Sequence, residues 1–212
     1  MTVLVTCSAK KMPALIEGIS KMGGIPIPFP TIEIRDIENK AALDSALVSL
    51  SQYAWIIFTS AYGVGFFAKR LRALSVQWPA SATPKICAIG PATAAEVREF
   101  GLKLELMPKN FVAEGVVEAL AEYHGGLRAL AGRRILIPRA LEAREILPEA
   151  LLEAGALVDA IPCYQTVRPT PDRALLRQIT QKAPDLILFA SSSSVHSLID
   201  TLGDDEAKRI LK

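Results

Sequence analysis

Soft metal ligands and aromatic residues are scarce in this 212-residue sequence, which has two His, three Cys, two Trp, four Tyr and seven Phe. There is no CxxC pair, and His124 and His196 alone could contribute imidazole, too few for a zinc site. Cys7, Cys87 and Cys163 are odd in number and sit in apolar, strand-like runs. They read as buried free thiols of a reducing compartment, not as a disulfide framework. Charge of one sign is also missing: 24 Lys and Arg face 22 Asp and Glu, a net +2. That balance gives no basic field for nucleic acid and no cationic surface for a membrane, while local cationic pockets for an acidic small molecule stay possible. No run approaches the ~20 apolar residues that cross a bilayer. The short apolar start precedes Lys10 and Lys11, the reverse of a signal peptide's order. Gly63-Val64-Gly65 lacks the third glycine of a dinucleotide loop, and no P-loop occurs. The expectation is a cytoplasmic protein with no metal and no organic cofactor.

Half of the residues are apolar, and 13 Gly and 14 Pro are ordinary for globular material. The length suits two small domains. With few aromatics, the core must come from Leu, Ile, Val and Ala. Short β-branched runs at 3–6, 25–29, 55–59, 85–89, 103–107, 134–138, 157–161 and 185–190 read as strands. Helical patterns fill most of the gaps. Met12, Leu15, Ile16, Ile19 and Met22 keep i, i+3, i+4, i+7 spacing until Gly23-Gly24 stops them. Such alternation predicts an α/β fold of parallel sheets covered by helices.

The chain also repeats itself. Val3-Leu4-Val5 aligns with Ile135-Leu136-Ile137 at an offset of 132, which also pairs Leu15 with Leu147, Gly23 with Gly155 and Pro30 with Pro162. Residues 55–60 (WIIFTS) align with 186–191 (LILFAS) at an offset of 131. The first copy continues through 85–123, whose counterparts would fall beyond Lys212. The expectation is that the second copy is incomplete, leaving a truncated form with little or no activity.

Several strands end in small polar residues that open a helix. In Ile89-Gly90-Pro91-Ala92-Thr93-Ala94, Gly90 is expected to permit a tight turn and Pro91 to take the first helical position. The free N–H groups and the Thr93 hydroxyl would then face an anion. Ser60 is an expected N-cap one strand earlier, and Ser191 to Ser194 repeat the device. Each also reads as ordinary capping. Together they mark the carboxyl ends of parallel strands, where open α/β sheets bind ligands.

In their order, Val3 to Thr6, Pro30-Thr31-Ile32, Phe58-Thr59-Ser60, the Gly90 segment, 108–115 (PKNFVAEG), 144–148 (REILP), Gly155-Ala156, Tyr164-Gln165-Thr166 and 189–191 (FAS) make the whole chain resemble the uroporphyrinogen-III synthase family. The resemblance implies two similar flavodoxin-like α/β domains joined by two extended linkers, with the active site in the cleft. One domain would comprise 1–33 plus 169–212, the other 39–163 with five strands, and the linkers would be 34–38 and 164–168. It further implies a monomeric, cofactor-free lyase of tetrapyrrole biosynthesis acting on hydroxymethylbilane, handed over by hydroxymethylbilane synthase. Tyr164 would assist departure of the substrate hydroxyl. Ser60, Gly90, Thr93, Ser191 and Ser192 would approach substrate carboxylates, with Arg139 and Arg144 as their cationic partners. Cys7 stands where many family members carry arginine, and Tyr62 where smaller or basic residues are common. A non-catalytic two-lobed binding module and an inactive family member are the alternative readings.

Overall fold

Parallel strands form wherever the β-branched runs occur. The computed structural model describes residues 1–8, 12–79, 84–170, 172–189 and 192–210, without the side chains of 192 and 193. The chain begins β1 (Thr2–Val5), α1 (Met12–Lys21), β2 (Ile25–Pro28), β3 (Glu33–Asp36), α2 (Ala41–Val48), β4 (Trp55–Phe58) and α3 (Ala61–Ala73). It continues with β5 (Lys85–Ala88), α4 (Pro91–Glu99), β6 (Leu104–Leu106), α5 (Ala113–His124), β7 (Arg134–Ala140) and α6 (Ile146–Glu153). The last elements are β8 (Leu157–Val167), α7 (Arg173–Gln181), β9 (Leu186–Leu188), α8 (Ser192–Leu202) and α9 (Asp204–Ile210). Two compact units result: Met1–Arg35 with Thr166–Lys212, and Asp36–Gln165.

The first unit holds a three-stranded parallel sheet in the order β2-β1-β9. Alternation along β1 divides its core between two faces. Val3 and Val5 pack with Cys7, Met12 and Ile19 of the α1 side. Leu4 points the other way, onto Phe29, Ile179 and Leu198. Gly23, at φ +77°, ends α1 in the left-handed conformation that glycine adopts without strain. Thr31 ties the layers together, its hydroxyl donating to the Thr6 carbonyl (3.0 Å) and sharing its proton with the Ser194 carbonyl (3.3 Å).

The second unit has the deeper core. Trp55, Ile57, Ile135 and Ile137 bury one face of its sheet against Val116 and Leu120 of α5 and Leu147 and Leu151 of α6. On the other face Phe58 meets Phe67 of α3 edge-on, with ring centroids 5.3 Å apart. The six-stranded sheet has the order β3-β8-β7-β4-β5-β6; it contains the five strands expected and one more, which lies where the chain passes from one unit to the other. That strand, β3, and the long run of β8 occupy much of the segments 34–38 and 164–168 read as linkers. Glu33-Ile34-Arg35-Asp36 has one apolar residue in four, so no hydrophobic alternation announces it. Charged side chains suit such an edge position.

The repeat survives in the register. Thr2 stands opposite Ile25 and Val5 opposite Pro28. Arg134 stands opposite Leu157 and Ile137 opposite Ala160, the same pairing 132 residues later. Val3 faces Leu186 as Ile135 faces Trp55. The first unit therefore joins β1 and β2 of one copy to β9 of the other, and the second joins β7 and β8 of the second copy to β4 and its neighbours of the first.

Candidate functional site

Within the second unit, the carboxyl end of β4 runs straight into α3. Ser60 has extended backbone and caps the helix, its Oγ accepting the Gly63 N–H at 2.9 Å, as the sequence predicts. A Cβ on Gly63 would lie 3.0 Å from the Pro138 carbonyl oxygen and 3.2 Å from Ser60 Oγ, so α3 can start this close to β7 only with glycine there. The Ser60 hydroxyl lies 2.9 Å from the Tyr164 hydroxyl. Tyr164 is 7 % exposed. Its ring stacks on Phe66 (5.7 Å, 17° between planes) and meets Tyr62 at 6.0 Å and 50°.

Backbone irregularity aims this tyrosine. Arg139 pairs with Pro162 but Ala140 pairs with Tyr164, so β8 carries one extra residue, Cys163, against β7. Bulges of this kind re-aim side chains near functional sites. The Leu141 N–H donates to the Tyr164 carbonyl at 2.8 Å and holds the displaced segment. Burial raises the phenol pKa above its usual value, against the opposing pull of the Ser60 hydrogen bond. Tyr164 therefore keeps its proton throughout the neutral range.

A cavity of about 280 Å³ opens where β4, β5 and β7 end, lined by Thr59, Ile89, Phe111, Arg139, Arg144 and Leu147 among others. Arg139 is 7 % exposed and its guanidinium is already engaged, donating to both Glu145 carboxylate oxygens (2.9 and 2.5 Å) and to the Ala143 carbonyl (2.8 Å). The pairing holds the Glu145 carboxyl below the usual carboxylate range. Arg139 thus braces the turn 143–145, and it is the neighbouring Arg144, exposed on that turn, whose charge remains available.

Gly90 also serves differently from expectation. Its φ of −169° is extended backbone open to any residue, and Pro91 takes the first helical position of α4 as foreseen. What glycine provides is space: a Cβ there would lie 3.3 Å from the Phe111 side chain. Thr93 is buried in α4. Ser191 lies outside the described residues, as does the side chain of Ser192, the first residue of α8. Sequence reasoning assigned no role to Phe66, which forms the tyrosine's platform, or to Phe111, exposed on the cavity wall. Phe111 belongs to the 108–115 segment that carries the family resemblance, and this was the available signal. Among the described residues, no group of three His, Cys, Asp or Glu converges as metal ligands. Nor does any helix among them have the length and apolarity to cross a membrane.

A family profile described as uroporphyrinogen-III synthase HemD matches residues 13–212. The chain belongs to the uroporphyrinogen-III synthase family. A uroporphyrinogen-III synthase from Synechococcus elongatus is 31% identical over 217 residues, spanning 99% of this chain and 79% of the relative. A putative uroporphyrinogen-III synthase from Methanothermobacter thermautotrophicus is 27% identical over 94% of this chain and 77% of its own length. Among solved structures, a mutant uroporphyrinogen-III synthase from Thermus thermophilus superposes with a TM-score of 0.66 at 18% identity, over 100% of this chain and 81% of that one. At that identity the likeness speaks for the mixed α/β fold with parallel sheets. Membership in the uroporphyrinogen-III synthase family identifies the chain as a cyclising lyase of tetrapyrrole biosynthesis.

Proposed function

We propose that this chain cyclises hydroxymethylbilane to uroporphyrinogen III with Tyr164 as the proton donor. The observation that carries the residue assignment is the Ser60–Tyr164 hydroxyl pair at 2.9 Å, set on an aromatic platform at the carboxyl end of the sheet. Because Gly63 N–H fixes the Ser60 oxygen, the Ser60 proton is free to bond the Tyr164 oxygen. The phenolic proton then points to the substrate's terminal hydroxyl. Protonated as its C–O bond breaks, that hydroxyl leaves as water, and the first pyrrole becomes an electrophilic azafulvene. The substituted carbon of the last ring attacks it, and the resulting spiro intermediate fragments and recloses with that ring inverted. Ser60 stabilises the transient phenolate.

Proton transfer of this kind contributes ~10²–10⁴-fold. The larger task is holding the two ends of a flexible polyacid together, which is proximity catalysis. Arg144 suits a bidentate carboxylate contact, while Phe111 and Leu147 supply apolar wall. Arg139 and Glu145 keep the turn in place, and Thr93 supports the start of α4 from within. The two compact units are read as the two domains of the family, residues 1–33 with 169–212 and residues 39–163, and the protein as a monomer in the cytoplasm taking substrate from the enzyme that makes the linear bilane.

The test is to supply freshly generated hydroxymethylbilane, oxidise the products and separate the isomers. Type-III product is expected from the parent chain. Tyr164→Phe should retain the fold and the Michaelis constant and lose turnover by ~10²-fold or less, since positioning persists. Type-I product alone, at the spontaneous rate, would show a protein that binds without catalysing. Equal turnover in Tyr164→Phe and the parent would reduce Tyr164 to a packing residue.

A further inference from the structure

The opposite end of the second unit's sheet carries a pocket that the cyclisation does not use. It occupies about 600 Å³ at the amino ends of three adjacent strands, where Trp55 opens β4, Lys85 opens β5 and Arg134 opens β7. Arg133, Tyr123 and His124 complete the wall that matters here. Three cationic side chains line it and not one carboxylate does. The carboxylates that balance it act from outside the lining: Asp159 pairs with Arg134 at 2.8 Å, and Glu105 accepts the Tyr123 hydroxyl, which in turn accepts from Lys85 at 2.9 Å. His124 registers the resulting field. Its imidazole is pushed below the usual histidine value by burial first, then by Lys85 and Arg133. It is held neutral as the acceptor of the Trp55 indole N–H at 3.1 Å.

At the neighbouring helix end, the carbonyls of Ala121 and Glu122 in the last turn of α5 are already engaged, accepting the Gly126 and Gly125 N–H groups. The flat groups are equally specific. Tyr123 is 39 % exposed, and it meets Trp55 and His124 edge-on at 5.3 and 5.0 Å. The volume falls within the range of small-molecule sites.

We infer that this pocket binds a small anion borne on a flat ring, a phosphorylated or carboxylated aromatic compound, at a site separate from the cyclising residues. Arg133 and Lys85 receive the anionic group, and Tyr123 with His124 bounds the ring.

Full-length Trp78→Phe, which leaves Trp55 as the one tryptophan, reads occupancy by fluorescence without reference to cyclisation, so failure here is distinct from failure of the proposed activity. The probes are adenosine monophosphate and benzene-1,2,4-tricarboxylate, with adenosine as the uncharged ring and inorganic phosphate as the ringless anion. Calorimetry on the parent chain supplies the same four comparisons if the variant folds poorly. Saturable binding of either probe is expected, about tenfold or more tighter than adenosine or phosphate, and weakened about tenfold in Arg133→Ser. Preference for the monophosphate assigns a phosphorylated base, and preference for the tricarboxylate a carboxylated ring. No saturation by either probe, equal binding of the controls, or indifference to Arg133→Ser would each overturn the inference.

Discussion

The two copies of the repeat keep one backbone and part company at the strand ends. Cys7 comes after β1 where, 132 residues on, Arg139 lies near the end of β7, and Met12 opens α1 at the position equivalent to Arg144. In the second unit these positions hold a braced arginine and an exposed one beside a cavity. In the first they hold a thiol and a thioether in contact, Cys7 Sγ to Met12 Sδ at 3.9 Å, both buried. Strand pairing depends on backbone groups and alternating apolar faces, so it tolerates complete replacement of the residues just past the strand. The charged chemistry at these positions is concentrated in Asp36–Gln165, and the equivalent place in the other unit has been given to packing.

Equivalent cavities should break the comparison most visibly. Leu4 and Leu136 are both fully buried and occupy matching positions. Each Leu→Ala change should cost ~2–5 kcal/mol. In Leu4→Ala, hydrogen exchange should accelerate in β1, β2 and β9 alone, because that unit has three strands and smaller clusters. Leu136→Ala should instead lower the main melting transition. Uniform exchange across both units in either variant would mean that they unfold as one.

Arg144→Ala sharpens the contrast at the strand ends. A charge-assisted contact contributes ~1.5–3 kcal/mol, and the exposure of Arg144 reduces that figure. The Michaelis constant should rise by about tenfold or less with turnover nearly kept. An unchanged constant would place Arg144 in solvent only.

Alkaline sensitivity should come next. Burial pushes the Cys87 and Cys163 thiols up to about 12. Unfolded thiols release protons near pH ~8.5 while the folded ones hold theirs, so stability is full below that value and falls as pH rises toward 12. Melting the parent against Cys87→Ala/Cys163→Ala between pH 8 and 11 should show a shallower decline in the variant. The smallest effect is that of His124, whose pKa is lowered chiefly by burial. Unfolded imidazole takes its proton first, so stability present above pH ~6.5 is lost as pH falls below it. His124→Gln should flatten that acid limb in a melting series from pH 7 to 5.

Residues whose burial is decided by local pattern were readable in advance: the strands with β-branched runs, the Ser60 cap and the duplication, which holds to the residue in register. What was hidden depends on partners distant in the chain or on a local sequence with two meanings. β3 is a strand because β8 lies beside it, not because Glu33-Ile34-Arg35-Asp36 prefers to be one. Gly90 signalled a special position, but whether for a turn or for room depended on Phe111, 21 residues later. Arg139 and Glu145 are six residues apart, yet only the bend of the intervening chain makes them a pair.

The bond from the Thr2 hydroxyl to Asp185 spans 183 residues, and it carries a consequence for the order of events at the ribosome. At ~5–20 residues per second, β9 emerges roughly 10–40 s after β1. In that interval every strand from β4 to β8 becomes available and can assemble. β1, the middle strand of its sheet, has β2 on one side almost at once and an open edge on the other. The sheet of β1 and β2 is thus completed only after the strands made later, and during the wait the free edge of β1 is open to pairing with another strand.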